Sequence, residues 1–96
     1  MSTTAIVAIS RKGADLARSL AAGLEGDKTL YLDRRFAEGA DNAVLFDLPL
    51  RPLLQRVFGE YRRLVLFMPV GAAARLLAPC LQDKSHDPAV VCVDDA

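Results

Sequence analysis

The sequence predicts a parallel α/β domain of three layers, in which helices cover both faces of a sheet of about four strands. Short, almost wholly apolar runs alternate with longer segments whose apolar residues recur at helical spacing. Each segment between two runs is long enough for a helix and too long for a hairpin, so the strands are expected to be parallel, with right-handed crossovers. The most economical strand order is 2-1-3-4, a flavodoxin-like or Rossmann-like arrangement with the first and third strands central.

Four apolar runs have the character of buried strands. The first, AIVAI, and the third, LVLFM, are the most uniformly apolar, as expected for strands that are covered on both faces. The predicted strands are residues 5–9, 29–32, 64–68 and 89–93. The polar residues 33–42 predict a loop, and the short apolar stretch 43–46 predicts coil or a marginal extended piece.

The first predicted helix follows Ser10, whose hydroxyl can cap its first turn. Leu16, Leu20 and Leu24 recur at helical spacing together with Ala17 and Ala21, so these residues are expected to form the face that packs on the sheet.

The second and third helices contain prolines. Asp47 can cap the second helix, in which Pro49 and Pro52 come early enough to be tolerated. The third is predicted over residues 71–81, and Pro79 should bend it or start a new turn, because its ring excludes a helical hydrogen bond.

Composition narrows the class of function. The 96 residues suit one domain, and 12 Lys plus Arg balance 12 Asp plus Glu, which argues against a general nucleic-acid or membrane-surface role. The N-terminus lacks signal-peptide character, so a cytoplasmic protein is expected. Cys80 and Cys92 lack metal-ligand spacing and are expected to be reduced, buried small hydrophobes; neither a metal nor a cofactor is predicted.

Familiar catalytic motifs are absent from the sequence. Neither a P-loop nor a GxGxxG pattern occurs, and Ser10 and Met68 stand where a phosphorylation receiver needs acids. The single histidine, His86, falls in a polar loop at the amino-terminal edge of the fourth strand, where a solvated role is expected. The catalytic residues therefore stay unassigned.

Binding residues are expected beyond the carboxyl ends of the strands, where open parallel sheets bind ligands. The predicted substrate-binding residues are Ser10, Arg11, Gly71, Ala72, Arg75, Asp94 and Asp95. The small side chains after Met68 begin a helix whose free N–H groups suit a carboxylate or phosphate. Two structural alternatives to ligand binding stay open. The small residues after Met68 let the helix pack closely on the sheet, and the charged residues form a solvated rim. These charged residues are the basic pairs at 11–12, 34–35 and 62–63 and the acids at 94–95.

The last third of the chain carries a family resemblance. Its pattern comprises Gly71 and Arg75 in a Gly-x-x-x-Arg turn, Leu-Leu-Ala-Pro at 76–79, Asp-Lys at 83–84, Asp-Pro-Ala-Val at 87–90, and Asp94-Asp95 after the last strand. In this pattern the chain resembles the N-terminal domain of CbiG, the cobalt-precorrin-5A hydrolase family of anaerobic cobalamin (vitamin B12) biosynthesis.

The resemblance implies a substrate, a reaction and a partner. Enzymes of this family open a ring lactone of cobalt-precorrin-5A and release acetaldehyde, and their tetrapyrrole substrates bear many carboxylates that Gly71 and Arg75 are suited to hold. The family also has a C-terminal domain, so we expect this chain to be a fragment that is inactive alone and self-associates, as a homodimer, through the edge of the fourth strand. The alternative is a non-catalytic α/β binding or interaction module.

Overall fold

The computed structural model of the chain describes residues 3–37, 39, 42–81 and 87–94. These residues form five β-strands and three α-helices, with a 3-10 turn after β2 and another after α3. The strands are β1 (Thr4–Ala8), β2 (Lys28–Asp33), β3 (Ala43–Phe46), β4 (Arg63–Phe67) and β5 (Ala89–Val93). The helices are α1 (Arg11–Gly23), α2 (Arg51–Glu60) and α3 (Val70–Leu77), and the 3-10 turns span Arg34–Phe36 and Ala78–Cys80.

All five strands are parallel, in the order β3-β2-β1-β4-β5. The predicted parallel α/β fold is therefore confirmed, and the four predicted strands keep their predicted order, with β1 and β4 adjacent. The additional strand is β3, which pairs with β2 from Leu30 opposite Ala43 to Asp33 opposite Phe46. Its four residues were predicted as coil or a marginal extended piece. So short a run becomes a strand through pairing with its neighbour rather than through its own pattern, which is why the sequence alone does not identify it.

Two apolar layers enclose the sheet. Ala5 and Val7 of β1 point towards α2 and α3, whereas Ile6 and Ala8 point towards α1. This alternation follows from the two-residue period of a strand, and it explains why a strand buried on both faces has no polar positions. The predicted three-layer arrangement is thus present, with α1 on one face and α2 and α3 on the other.

The face of α1 that meets the sheet matches the prediction except at Leu16, since Ala17 is buried and Leu20, Ala21 and Leu24 pack against the same layer. Ser10 caps the helix as predicted, since its Oγ accepts a hydrogen bond of 2.9 Å from the backbone N–H of Gly13. However, Gly13, Ala14 and Ala17 are the buried residues, and Leu16 is 40% exposed. The small residues allow the helix axis to lie close to the sheet, and Leu16 is turned about 100° away from Ala17 on the helical wheel.

The second helix also begins differently. Asp47 does not cap it, because α2 starts at Arg51 with Leu50 in the N-cap position. Asp47 instead pairs with Arg34, with 3.1 Å between Oδ1 and Nε. The peptide bond between Leu48 and Pro49 is cis. Pro52 lies in the first turn, where its missing N–H costs no hydrogen bond.

The third helix is shorter than the predicted residues 71–81. It begins at Val70 and ends at Leu77, and Pro79 lies in the 3-10 turn that follows, so the new turn predicted at this proline is confirmed. Both cysteines are free, and they are half-buried rather than fully buried. Cys92 Sγ lies 3.2 Å from the carbonyl oxygen of Met68, to which it donates. In the described part of the chain, no helix has the length and apolar character needed to cross a membrane.

Candidate functional site

The carboxyl edge of the sheet contains a point where the chain changes direction. From β1 the chain passes through α1 to β2 on one side, and later through α2 to β4 on the other side of β1. The strands β1 and β4 are neighbours, and each is followed by a helix, β1 by α1 and β4 by α3. Both helices therefore begin at the carboxyl edge of this central pair of strands. Crevices of this kind are where open α/β sheets bind ligands, and both helix N-termini favour negative charge there.

Most of the predicted binding residues lie at this edge. Ser10 is the cap and Arg11 the first residue of α1, Gly71 and Ala72 belong to the first turn of α3, and Asp94 directly follows β5. Asp95 lies outside the described residues, as do the Asp-Lys pair at 83–84 and His86.

Arg75 lies further along α3 than Gly71 and Ala72. It lies in the last turn of α3, not near its start, because the helix ends at Leu77. It lies five positions after Val70, a rise of about 7.5 Å along the helix axis. Its side chain is exposed.

The structure decides against close packing as the reason for Gly71. A Cβ atom added to Gly71 meets no atom of the described residues within 4 Å, and the backbone there does not adopt positive φ. Ala73, which is 4% exposed, is the residue of that turn that packs on the core. The small side chain at Gly71 therefore leaves open space above the first turn of α3.

The end of β2 holds a buried carboxylate that was predicted to lie in a loop. Asp33 is the last residue of the strand, and its side chain is 2% exposed. Its oxygens accept hydrogen bonds from Arg35: 3.0 Å from the backbone N–H, 3.2 Å from Nε and 2.7 Å from Nη2. The side chain of Arg35 is 61% exposed. A buried acid thus holds an accessible guanidinium at the carboxyl edge.

The same bonds govern the ionisation of the pair. The side-chain hydrogen bonds from Arg35 hold the pKa of Asp33 below its ordinary value, although burial of the carboxyl opposes them. The pKa of Arg35 is raised in turn, chiefly by its hydrogen bond to Asp33. Both groups are therefore charged at neutral pH, and the arrangement is a stable ion pair.

Phe36 brings two guanidinium groups together. The Cζ atom of Arg35 lies 5.0 Å from the centre of the Phe36 ring, and that of Arg11 lies 5.6 Å from it. Both distances are within the range of cation–π attraction. The turn is also tied to α1, because Arg18 Nη2 donates to the backbone oxygen of Phe36 over 3.4 Å. With Arg34 in the same turn, three arginines lie at this edge.

This arrangement suits the binding of carboxylates better than acid–base catalysis. Arginine presents planar N–H forks that match a carboxylate, and two helix N-termini add partial positive charge. Within the described residues, no group of three or more His, Cys, Asp and Glu side chains lies close enough to hold a metal ion. The sequence signal for Asp33 was an acid directly after an apolar run and directly before two arginines.

Two shallow hollows lie elsewhere on the surface. One, of about 340 Å³, lies between α1 and the first residues of β2 and β3, where Arg18 and Lys28 are part of its lining. The other, of about 400 Å³, lies against β3 and the start of α2. Neither includes Gly71 or Arg75.

The fold and the edge define an α/β domain built on an open parallel sheet with a basic carboxyl end. Residues 52–96 match the family model described as "Cobalamin synthesis G N-terminal". The chain is 36% identical over 94 residues to the cobalt-precorrin-5A hydrolase of Priestia megaterium, and 32% identical over 91 residues to that of Salmonella typhimurium. The family resemblance predicted from the sequence is therefore confirmed.

These matches differ greatly in how much of each protein they cover. Each covers 95% of this chain but 25% of the relative, so the chain spans about a quarter of the length of these curated relatives. No solved structure matches the chain significantly.

Proposed function

We propose that the chain is the N-terminal domain of a cytoplasmic cobalt-precorrin-5A hydrolase of cobalamin biosynthesis, and that it binds substrate carboxylates at the carboxyl edge of its sheet. The observation that carries this proposal is the 36% identity to a cobalt-precorrin-5A hydrolase over 94 residues, nearly the whole chain. The ligand is the cobalt-precorrin itself, so the cobalt ion arrives with the substrate.

The geometry of the edge supports binding of such a ligand. Hydrolysis of an ester requires water at a carbonyl carbon and stabilisation of the oxyanion, and it requires the macrocycle to be held in place. The N-termini of α1 and α3, together with Arg11, provide positive charge for holding carboxylates. Gly71 and Ala72 leave room for close approach, and we assign Ser10, whose hydroxyl already caps α1, to the wall of the site.

The acids and Arg75 complete the proposed site. Asp94 and Asp95 follow β5, where a carboxylate can orient a water molecule, and they are the candidates for contact with the reacting part of the substrate. Arg75 extends from the last turn of α3 and is proposed to pair with one peripheral carboxylate.

The partner proposed for this domain is the remaining polypeptide of the longer protein. Parallel sheets are normally covered on both faces, yet Val91 of β5 is 56% exposed and Val90 is 38% exposed. We propose that a C-terminal domain covers this flank in the whole enzyme, and that the isolated chain dimerises through the free edge of β5. Sedimentation of the chain and of Val91→Lys tests the latter: the variant should be monomeric, and equal association would contradict it.

The second candidate function is a non-catalytic α/β interaction module, and one titration separates the two. Uroporphyrin, a tetrapyrrole with a carboxylate on every peripheral side chain, serves as the probe. The wild-type chain should bind it, and Arg75→Ala should weaken binding by about 1–3 kcal/mol, the scale of a hydrogen bond to a charged group. An interaction module should show no binding of uroporphyrin at all.

Two controls make the titration specific. Arg62→Ala removes an exposed arginine at the amino end of β4, so it lowers the net charge equally without touching the proposed site. A tetracationic porphyrin retains the aromatic macrocycle but reverses the peripheral charge. If Arg62→Ala weakens binding as much as Arg75→Ala, or if the cationic porphyrin binds equally well, binding is unspecific.

A further inference from the structure

We propose that Arg35, held in place by the buried carboxylate of Asp33, is the principal anchor for a macrocycle carboxylate, and that Arg11 joins it across the ring of Phe36. Arg35 is thus a binding residue and Asp33 a positioning residue, since Asp33 acts only through Arg35. This inference rests on the proposed function, because it names the contact that recognises the carboxylates of the same substrate.

The burial of Asp33 is the first step of the argument. Removing a carboxylate from water is costly, and the cost is offset only when its oxygens are fully hydrogen-bonded. Asp33 is 2% exposed, and Arg35 supplies both its side-chain and backbone donors. Asp33 fixes one orientation of a guanidinium whose own side chain is 61% exposed.

The hydrogen bonds to Asp33 use one in-plane pair of N–H donors of that guanidinium and leave a second pair for a ligand. Asp33 accepts from Nε and Nη2 of Arg35, which form one of the two N–H forks of the group. The second fork, formed by Nη1 and the other N–H of Nη2, faces away from Asp33. A carboxylate from the substrate matches that fork in plane and charge, so Arg35 can bridge two carboxylates.

Phe36 fixes the position of the second charge. Its ring lies within cation–π distance of both Arg35 and Arg11. No acidic side chain of the described residues forms an ion pair with Arg11, whereas Arg34 pairs with Asp47. Arg11 therefore keeps its charge available beside an ordered aromatic ring. Because β1 and β2 are neighbours, the pair lies next to the switch point where α1 begins.

The test is a titration of the purified chain with uroporphyrin at neutral pH, for wild type and for four single variants. Arg35→Ala and Arg11→Ala should each lower the affinity roughly tenfold or more, as expected for the loss of charge-assisted hydrogen bonds. Asp33→Asn should lower it by a similar factor, because the fork loses its charged partner. Arg62→Ala, at the opposite edge, should bind as the wild type does.

A double variant distinguishes positioning from a general structural role. If Asp33 acts through Arg35, adding Asp33→Asn to Arg35→Ala should cause no further loss of affinity. A separate tenfold loss on that background would show that Asp33 acts independently, which overturns its positioning role. Far-ultraviolet circular dichroism identifies any variant that does not fold; Arg11 lies on the surface of α1, so Arg11→Ala still decides the question if the Arg35 variant fails.

The outcomes separate this inference from the proposed function. If the folded wild-type chain does not bind uroporphyrin, the proposed binding function is overturned, and the present inference, which rests on it, is overturned with it. Wild-type binding together with unchanged affinity in folded Arg35→Ala or Arg11→Ala overturns only the present inference, and leaves the helix N-termini and Arg75 as the contacts. Equal losses in Arg62→Ala would reduce the effect to net charge and would also overturn it.

Discussion

Tyr31 holds its proton more tightly than an exposed tyrosine does. Burial of its ring and a hydrogen bond with Tyr61, with 2.7 Å between the two hydroxyl oxygens, raise the pKa of Tyr31 to about 12 from 10.0. The two rings meet edge to face, with their centres 6.1 Å apart. In the unfolded chain this tyrosine ionises at its ordinary pKa, so the folded state binds one proton more between these two pKa values.

That difference predicts a loss of stability at alkaline pH. The contribution of Tyr31 is fully present below pH 10 and is lost as the pH rises towards 12. Tyr31→Phe should cost about 1 kcal/mol at neutral pH, the usual net value of one hydrogen bond. Above pH 10 the variant should lose stability less steeply than the wild type. Urea unfolding at a series of pH values measures this, and parallel curves for the two proteins would contradict it.

Gly71 offers a second test of a single residue. Since a Cβ atom meets nothing there and φ is not positive, Gly71→Ala should stabilise the chain by about 0.4–1 kcal/mol through the unfolded state. Gly26 is the matched control, because its φ of 90° strains any other residue and Gly26→Ala should destabilise. The measurement is the urea midpoint of each variant, and a destabilised Gly71→Ala would mean that the glycine serves the fold.

Single residues also mark the limit of what the sequence predicts. The capping by Ser10 was predictable because it depends on local chemistry, a hydroxyl before a helical pattern. The burial of Asp33 was not, because it depends on how the following turn folds back so that Arg35 meets the strand end. Leu16 shows the same limit, since it was predicted on the buried face together with Ala17, yet the residues buried beside Ala17 are Gly13 and Ala14.

At the level of elements, the junction between β2 and its 3-10 turn should be sensitive to acid. Hydrogen bonds from Arg35 lower the pKa of Asp33 from its ordinary 3.8, against the effect of burial. Its contribution to stability is therefore present above pH 3.8 and is lost as the pH falls through the lower pKa of the folded state. Asp33→Asn lacks this titration, so the stability gap between wild type and variant should narrow on acidification. A gap independent of pH would contradict the prediction.

The elements themselves were predictable where periodicity and burial agree. The four longer strands and the order in which they pair follow from apolar runs separated by helical segments. The prediction failed at β3 and at the start of α2, which are consecutive in the chain. There Asp47 forms an ion pair with Arg34 instead of capping the helix, and α2 begins only at Arg51. Pairing partners from elsewhere in the chain decide such positions, and a local pattern does not contain them.

For the whole molecule, the described residues place several arginines at the carboxyl edge but few groups suited to moving protons. Arg11, Arg35, Gly71 and Arg75 are proposed to contact carboxylates, and Asp94 is exposed directly after β5. Ligand sites often form between domains, so one domain contributes only part of the walls. The chain corresponds to a quarter of each curated relative, so about three quarters of each relative lies outside the match.

The chain alone is therefore expected to bind a polycarboxylate tetrapyrrole without hydrolysing it. The test is anaerobic incubation of the purified chain with cobalt-precorrin-5A while released acetaldehyde is followed. A full-length relative, such as the hydrolase of Priestia megaterium, serves as the positive control, and the wild-type chain should release no acetaldehyde above the protein-free background. Release at a rate comparable to that of the relative would contradict this expectation. Asp94 would then be the first residue to replace, because it follows β5 directly, at the carboxyl edge where a carboxylate can orient water towards a bound ester.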